Sequence, residues 1–244
     1  MNRNWLGLAF VAAVALALAA NYFFSPNPHQ AARADREIAA RGLAEAVLAQ
    51  LPGHRALVLS NPYVQKPGTA RAIVEMEEAG LRGLRAVQEG KWIGAVVLPE
   101  LRPAAQENPR AVPIDPETTT PLSYLVAPNA FDHAAQAHPD CGVLVSLIGL
   151  PVELDQCEAW KKEGPPAFAL LLPDLRMVGD ANAVATAVKS GKLVALVLRK
   201  PGGISEHEPL TLDFKAEFDR RFLLVTRENV DDLAARLPQV LQNP

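Results

Sequence analysis

The chain has 244 residues, with 24 Lys and Arg against 27 Asp and Glu, a formal net charge of −3, and 49% hydrophobic residues. That apolar content excludes a disordered chain, and the near-neutral balance argues against a general nucleic-acid binder, whose phosphate contacts want a basic excess. Two cysteines exclude both a disulfide-dense scaffold and a four-cysteine zinc module.

Taken in chain order, residues 1–24 come first. Trp5–Ala20 is uncharged and apolar, Tyr22, Phe23 and Phe24 follow it, and Arg3 is the sole charge before it. About 20 such residues suffice to cross a bilayer core of ~30 Å as a helix. Two readings follow: an uncleaved signal-anchor with interfacial aromatics at its ends, or a secretory signal peptide cut after Ala17-Leu18-Ala19. Both export the rest of the chain. The first gives a single-pass cell-membrane protein with its C-terminal domain outside the cytoplasm, on the periplasmic side, and the second a secreted one. Residues 25–30 form a Pro-containing linker, and residues 31–52 an amphipathic helix with Ile38, Leu43, Val47, Leu48 and Leu51 at helical spacing.

Residues 53–244 read as one α/β domain. Six short aliphatic runs, at 56–59, 93–98, 141–148, 167–172, 193–198 and 222–225, are apolar throughout, as strands buried on both faces are. Helical patterns lie at 68–89, 150–162, 180–190 and 228–241. The last four runs begin about 26 to 29 residues apart, a spacing that suits βαβ crossovers between parallel strands. The expectation is a mostly parallel, Rossmann-like (doubly wound) sheet of five to six strands with helices on both faces, preceded by the N-terminal hydrophobic helix. Residues 100–122 carry five prolines and are expected to lack regular structure, serving as a lid, a binding loop or a tolerated insertion.

In an open parallel sheet, ligands bind beyond the carboxyl ends of the strands. The candidate binding residues therefore follow the apolar runs. Ser60, Asn61, Lys66 and Thr69 lie before a helix start, where free N–H groups favour an anion; Thr69 or Gly68 is expected to open that helix, with Thr69 as its cap in the plainer reading. Glu100 and Arg102, and Asp174 and Arg176, are carboxylate–arginine pairs, set in a local echo: Leu98-Pro99-Glu100-Leu101-Arg102 and Leu172-Pro173-Asp174-Leu175-Arg176. Arg199 and Lys200 precede Gly202 and Gly203, which let a backbone approach a ligand closely. A small anionic or zwitterionic ligand fits these groups. The plainer reading of each is a cap, a turn or a surface ion pair.

No metal site or cofactor is expected. His133 and His138 miss the i,i+4 spacing of a helical zinc pair, Glu206-His207-Glu208 cannot easily converge, and neither a G-x-G-x-x-G nor a P-loop signature occurs. Cys141 and Cys157, in an exported chain, are a candidate disulfide; the alternative is two buried apolar thiols. Ser146, inside an apolar run, reads as a core hydroxyl.

The strand–helix alternation and the export signal are similar to one lobe of the periplasmic solute-binding proteins. The likeness carries no residue motif and assigns no binding residue. The expected function is a membrane-tethered or exported domain that binds a small ligand or a protein partner without an evident catalytic motif. The alternatives are an enzyme using strand-end carboxylates and a structural subunit partnered within a membrane complex.

Overall fold

The computed structural model describes residues 28–205, 208, 210, 211 and 213–242. The apolar helix expected over residues 5–20 lies outside them, and among the described residues no helix is long and apolar enough to cross a membrane. All six aliphatic runs are strands: β1 is Arg55–Leu59, β2 Ile93–Val97, β3 Cys141–Ser146, β4 Ala167–Leu171, β5 Leu193–Arg199 and β6 Phe222–Val225. They form one sheet in the order β2-β1-β3-β4-β5-β6. β1 to β5 run parallel, and β6 lies antiparallel against β5 with Arg199 opposite Phe222.

Ten helices accompany the strands among the described residues: α1 Pro28–Gln50, α2 Arg71–Arg85, α3 Pro103–Glu107, α4 Pro121–Leu125, α5 Ala130–Ala137, α6 Glu158–Lys161, α7 Ala181–Lys189, α8 Phe214–Arg221, α9 Val230–Arg236 and α10 Pro238–Gln242. The period-2 geometry of the strands divides their side chains by size. Leu57, Leu59, Leu144, Phe168, Leu170, Leu196 and Leu198 face α5, α7, α9 and α10. Ala56, Val58, Val143, Val145, Ala169, Ala195 and Val197 face α1, α2 and α8. Each large aliphatic or aromatic chain buried this way is worth roughly 1.5–3 kcal/mol.

Right-handed crossovers account for the arrangement of helices. The connections that carry the chain from β3 to β5 lie on one face, and α2, which turns back to β2, lies on the other. α2 alone leaves the β3–β5 half of that second face bare, and α1 covers it. Its alanines 39, 40, 44 and 46 are buried there against the small strand residues. The fit between α1 and α2 is close: a Cβ on Gly83 would stand 2.2 Å from the Glu37 carbonyl oxygen and 2.9 Å from the Ala40 Cβ.

Five local expectations need correction. The first helix begins at Pro28, inside the expected linker 25–30, and ends at Gln50, because Pro is accommodated in a first helical turn. Residues 150–162 hold a 3₁₀ turn at Leu154–Gln156 and the single turn α6 rather than one helix. There the Asp132 carboxylate accepts from the Glu158 and Ala159 backbone N–H groups and starts the short turn. Residues 228–241 split into α9 and α10 at Leu237, which precedes Pro238 and is held out of the helical region. Residues 100–122 do contain regular structure, because Pro103, Pro109 and Pro121 each occupy a first helical turn, where the missing N–H has no intrahelical partner to lose. Finally, α2 opens after Ala70, and Thr69 does not cap it: its Oγ1 donates to the Tyr63 carbonyl at 2.6 Å.

Candidate functional site

Strand order reverses between β1 and β3, so the crevice of this sheet lies over the carboxyl ends of those two strands. The loops there are fixed by one buried carboxylate. Glu77 Oε1 accepts from Ser60 Oγ at 2.6 Å and from the Asn61 N–H at 2.9 Å. Its Oε2 accepts from Arg36 Nη2 at 2.9 Å, and the same nitrogen donates to the Leu147 carbonyl at 3.2 Å. The hydrogen bonds and the guanidinium make burial of the charge tolerable. Above this lattice lies a groove of about 380 Å³ lined by Asn61, Ile73, Met76, Thr120, Leu122 and Leu147 among others.

A second cavity, about 530 Å³, sits beside it at the ends of β4 and β5. Leu172, Pro173, Leu175, Leu198, Pro201 and Val240 make its apolar wall, and Thr119, Gln239, Arg199 and Lys200 supply the polar groups. This volume is in the range of small-molecule sites, and an apolar wall with a few placed polar groups is their usual lining. Arg199 Nη2 pairs with Asp35 Oδ2 at 2.8 Å, and Asp35 also accepts from Arg221 Nη1 at 3.2 Å, while Arg221 Nε donates to Glu217 Oε2 at 2.8 Å. Lys200 Nζ donates to the Asp219 backbone carbonyl at 3.0 Å and reaches no carboxylate within 4.0 Å among the described residues.

Thr119 and Leu172 line both cavities and divide them. Leu172 has φ +48°, in the left-handed region that a bulky side chain rarely occupies. Its N–H is held by the Val197 carbonyl at 2.8 Å. Strain of this kind persists where the surroundings over-determine it, and it concentrates at binding sites.

The segment between β2 and β3 is a strap across these carboxyl ends. Thr118 Oγ1 donates to Asp174 Oδ2 at 2.8 Å, and Asp115 Oδ2 accepts from Arg176 Nη1 at 2.8 Å. Thr120 packs on Gly149, where a Cβ would come within 2.7 Å of it. Asp174 is fully buried and accepts from the Arg176 backbone N–H, Nε and Nη2. Burial alone would push its carboxyl up, but the bonds from Arg176 and Thr118 outweigh burial and hold it below the usual carboxylate range.

The candidate residues therefore separate, and their loops do not converge on one cavity. Asn61 faces the groove, and Arg199 and Lys200 face the larger cavity. Ser60, Asp174 and Arg176 stand behind the walls and fix loops. Lys66, whose ammonium lies 4.9 Å over the Tyr63 ring, and Thr69 line neither space. Glu100 and Arg102 line neither as well, because β2 is the outermost strand; Arg102 Nη2 pairs with Glu153 at 2.5 Å. Residues of the candidate set thus act mostly in scaffolding. The walls themselves come from Thr119, Leu172, Leu175 and Val240, which carry no polar motif. Ser146 Oγ donates to the Gly149 carbonyl at 2.6 Å, as a core hydroxyl does.

The disulfide is not formed. Cys141 and Cys157 are free and buried. Cys157 Sγ donates to Asp132 Oδ1 at 3.4 Å, and burial pushes its thiol up to about 12, whereas Cys141 points toward Gly94 of β2. Among the described residues no group of three His, Cys, Asp or Glu gathers as a metal site. Compared with known families and with curated proteins, the chain matches none.

Proposed function

We propose that the chain is a membrane-tethered or exported, non-catalytic α/β domain that binds a small anionic ligand with an apolar body at the carboxyl edge of its sheet. One observation carries this reading: the cavity between β4 and β5 joins an apolar wall to two cations, and among the described residues the ammonium of Lys200 is held by a neutral carbonyl rather than by a carboxylate. An anion seated there gains a charge-assisted hydrogen bond, and its apolar body leaves water. The apolar stretch 5–24 supports the address, as an anchor or a signal.

The test is a thermal-shift screen of the full chain in phospholipid nanodiscs against soluble apolar carboxylates, phosphate esters and their neutral isosteres. A ligand at 100 times its Kd adds about 2.7 kcal/mol. Anions are expected to raise the Tm and the isosteres much less. Val240→Trp, which fills the cavity, is expected to abolish the shift, and Lys66→Ala to leave it unchanged. A Tm that no anion moves overturns the proposal.

A further inference from the structure

We infer that this same edge faces the bilayer, and that the cavity between β4 and β5 takes an anionic single-chain amphiphile out of it. The inference rests on the binding reading above and adds to it the class and the source of the ligand.

The first argument is where α1 begins. α1 and α2 run in the same direction, joined by Arg33 to Glu75 and Arg36 to Glu77. Asp35 and Arg36 are level with the strand ends, since they bond Arg199 and the Leu147 carbonyl. Asp35 lies seven positions after Pro28, so at 1.5 Å per step the first turns of α1 stand about 10 Å beyond the carboxyl edge. Only Ser25, Pro26 and Asn27 lie between Phe24 and Pro28, and four Cα steps reach at most about 14 Å. The end of the apolar stretch is therefore within about 25 Å of this edge. α1 cannot swing to present another side, because its alanines are buried on the sheet and Asp35 is clamped between Arg199 and Arg221. A membrane that holds the stretch 5–24 is thus met by the carboxyl edge.

The second argument is independent of the tether. Large apolar side chains that stay exposed are few among the described residues. They are Ile73 in the first turn of α2, Val96 on the outermost strand β2, Leu210 in the segment leaving β5, and Leu237, two residues before the cavity-lining Gln239. Ile73 borders the groove and Leu237 adjoins the cavity of the carboxyl edge, where a lipid interface would bury them. The cavity between β4 and β5 has an apolar depth with Lys200 and Arg199 at its rim, which matches an alkyl chain carrying a carboxylate or phosphate head.

The experiment uses the full chain in phosphatidylcholine vesicles. A donor dye is placed on Ile73→Cys or, near the opposite edge, on Lys91→Cys; the native thiols are buried and do not compete. Energy transfer to rhodamine-labelled lipid is expected to be much stronger from position 73 than from 91. Equal or reversed transfer, or a chain that does not stay with the vesicles, overturns the inference. In the second arm the vesicles carry radiolabelled oleate, and soluble octanoate is offered separately. The re-isolated chain is expected to retain oleate, and Lys200→Glu to lower retention roughly tenfold, since it reverses the charge at the rim. Octanoate binding with oleate left in the vesicles overturns the membrane source and leaves the binding reading standing. If neither binds, the binding reading falls and this inference with it.

Discussion

Two segments of this protein share a five-residue pattern and differ in fate. Leu98-Pro99-Glu100-Leu101-Arg102 follows β2, and Leu172-Pro173-Asp174-Leu175-Arg176 follows β4. After β2 the carboxylate is exposed, with His133 Nδ1 at 3.8 Å from it, and the arginine reaches across to Glu153. After β4 the carboxylate is fully buried, its own arginine folds back on it, and Asp115 and Glu117 of the strap close on the same guanidinium. Position in the sheet accounts for much of the contrast. β2 is an edge strand with half-exposed residues, whereas β4 lies between β3 and β5 under the strap. One methylene adds to it, since the shorter Asp accepts from the N–H two residues on in an Asx turn. The same five-residue pattern thus leaves an exposed carboxylate and a half-buried arginine at one place and makes a buried latch beside a cavity at the other.

The contrast breaks most strongly at Asp174. Asp174→Ala leaves the buried end of Arg176 without its main carboxylate, and truncation of one partner in such a pair costs about 3 kcal/mol. Urea unfolding of the full chain is expected to show that loss. The pH dependence has a definite sign. The folded-state carboxyl lies below its ordinary value of 3.8, so its contribution is fully present above that value and disappears as pH falls through the lower, folded-state one. In Asp174→Asn the corresponding part of the acid-unfolding limb is expected to flatten; an unchanged limb would show that the carboxylate is not held as described. Thr118→Val is the milder break. It removes one hydroxyl bond to the carboxylate, about 1.5 kcal/mol, and limited proteolysis is expected to speed up within residues 108–120.

The sheet was legible because its strands are buried on both faces, which turns each into an unbroken aliphatic run such as Leu193–Leu198. The antiparallel placement of β6 was not, because Phe222–Val225 is as apolar as the parallel strands and carries no sign of direction. Prolines misled in the strap. Their number suggests irregular chain, yet Pro103, Pro109 and Pro121 start helical turns. At the candidate site, Asn61, Arg199 and Lys200 were legible as polar residues just past strand ends. Leu172, Leu175 and Val240 were not, since an apolar side chain in a cavity wall looks in sequence like one in the core. Val240 arrives from α10, near the chain end, where no spacing rule places it beside β5.

The smallest effect sharpens the comparison from its other side. Glu100→Ala removes the residue that the echo makes equivalent to Asp174. Its side chain is 70% exposed and the His133 ring stands 3.8 Å away, so both electrostatic attraction and desolvation are weak there. The change in unfolding free energy is expected to stay within about 0.5 kcal/mol, as for ordinary surface substitutions. A loss near that of Asp174→Ala would mean that both strand ends latch alike, and burial would no longer explain the contrast. A null result at Glu100 beside a large one at Asp174 assigns the difference to the strap and the neighbouring strands, because the pentapeptides themselves are nearly the same.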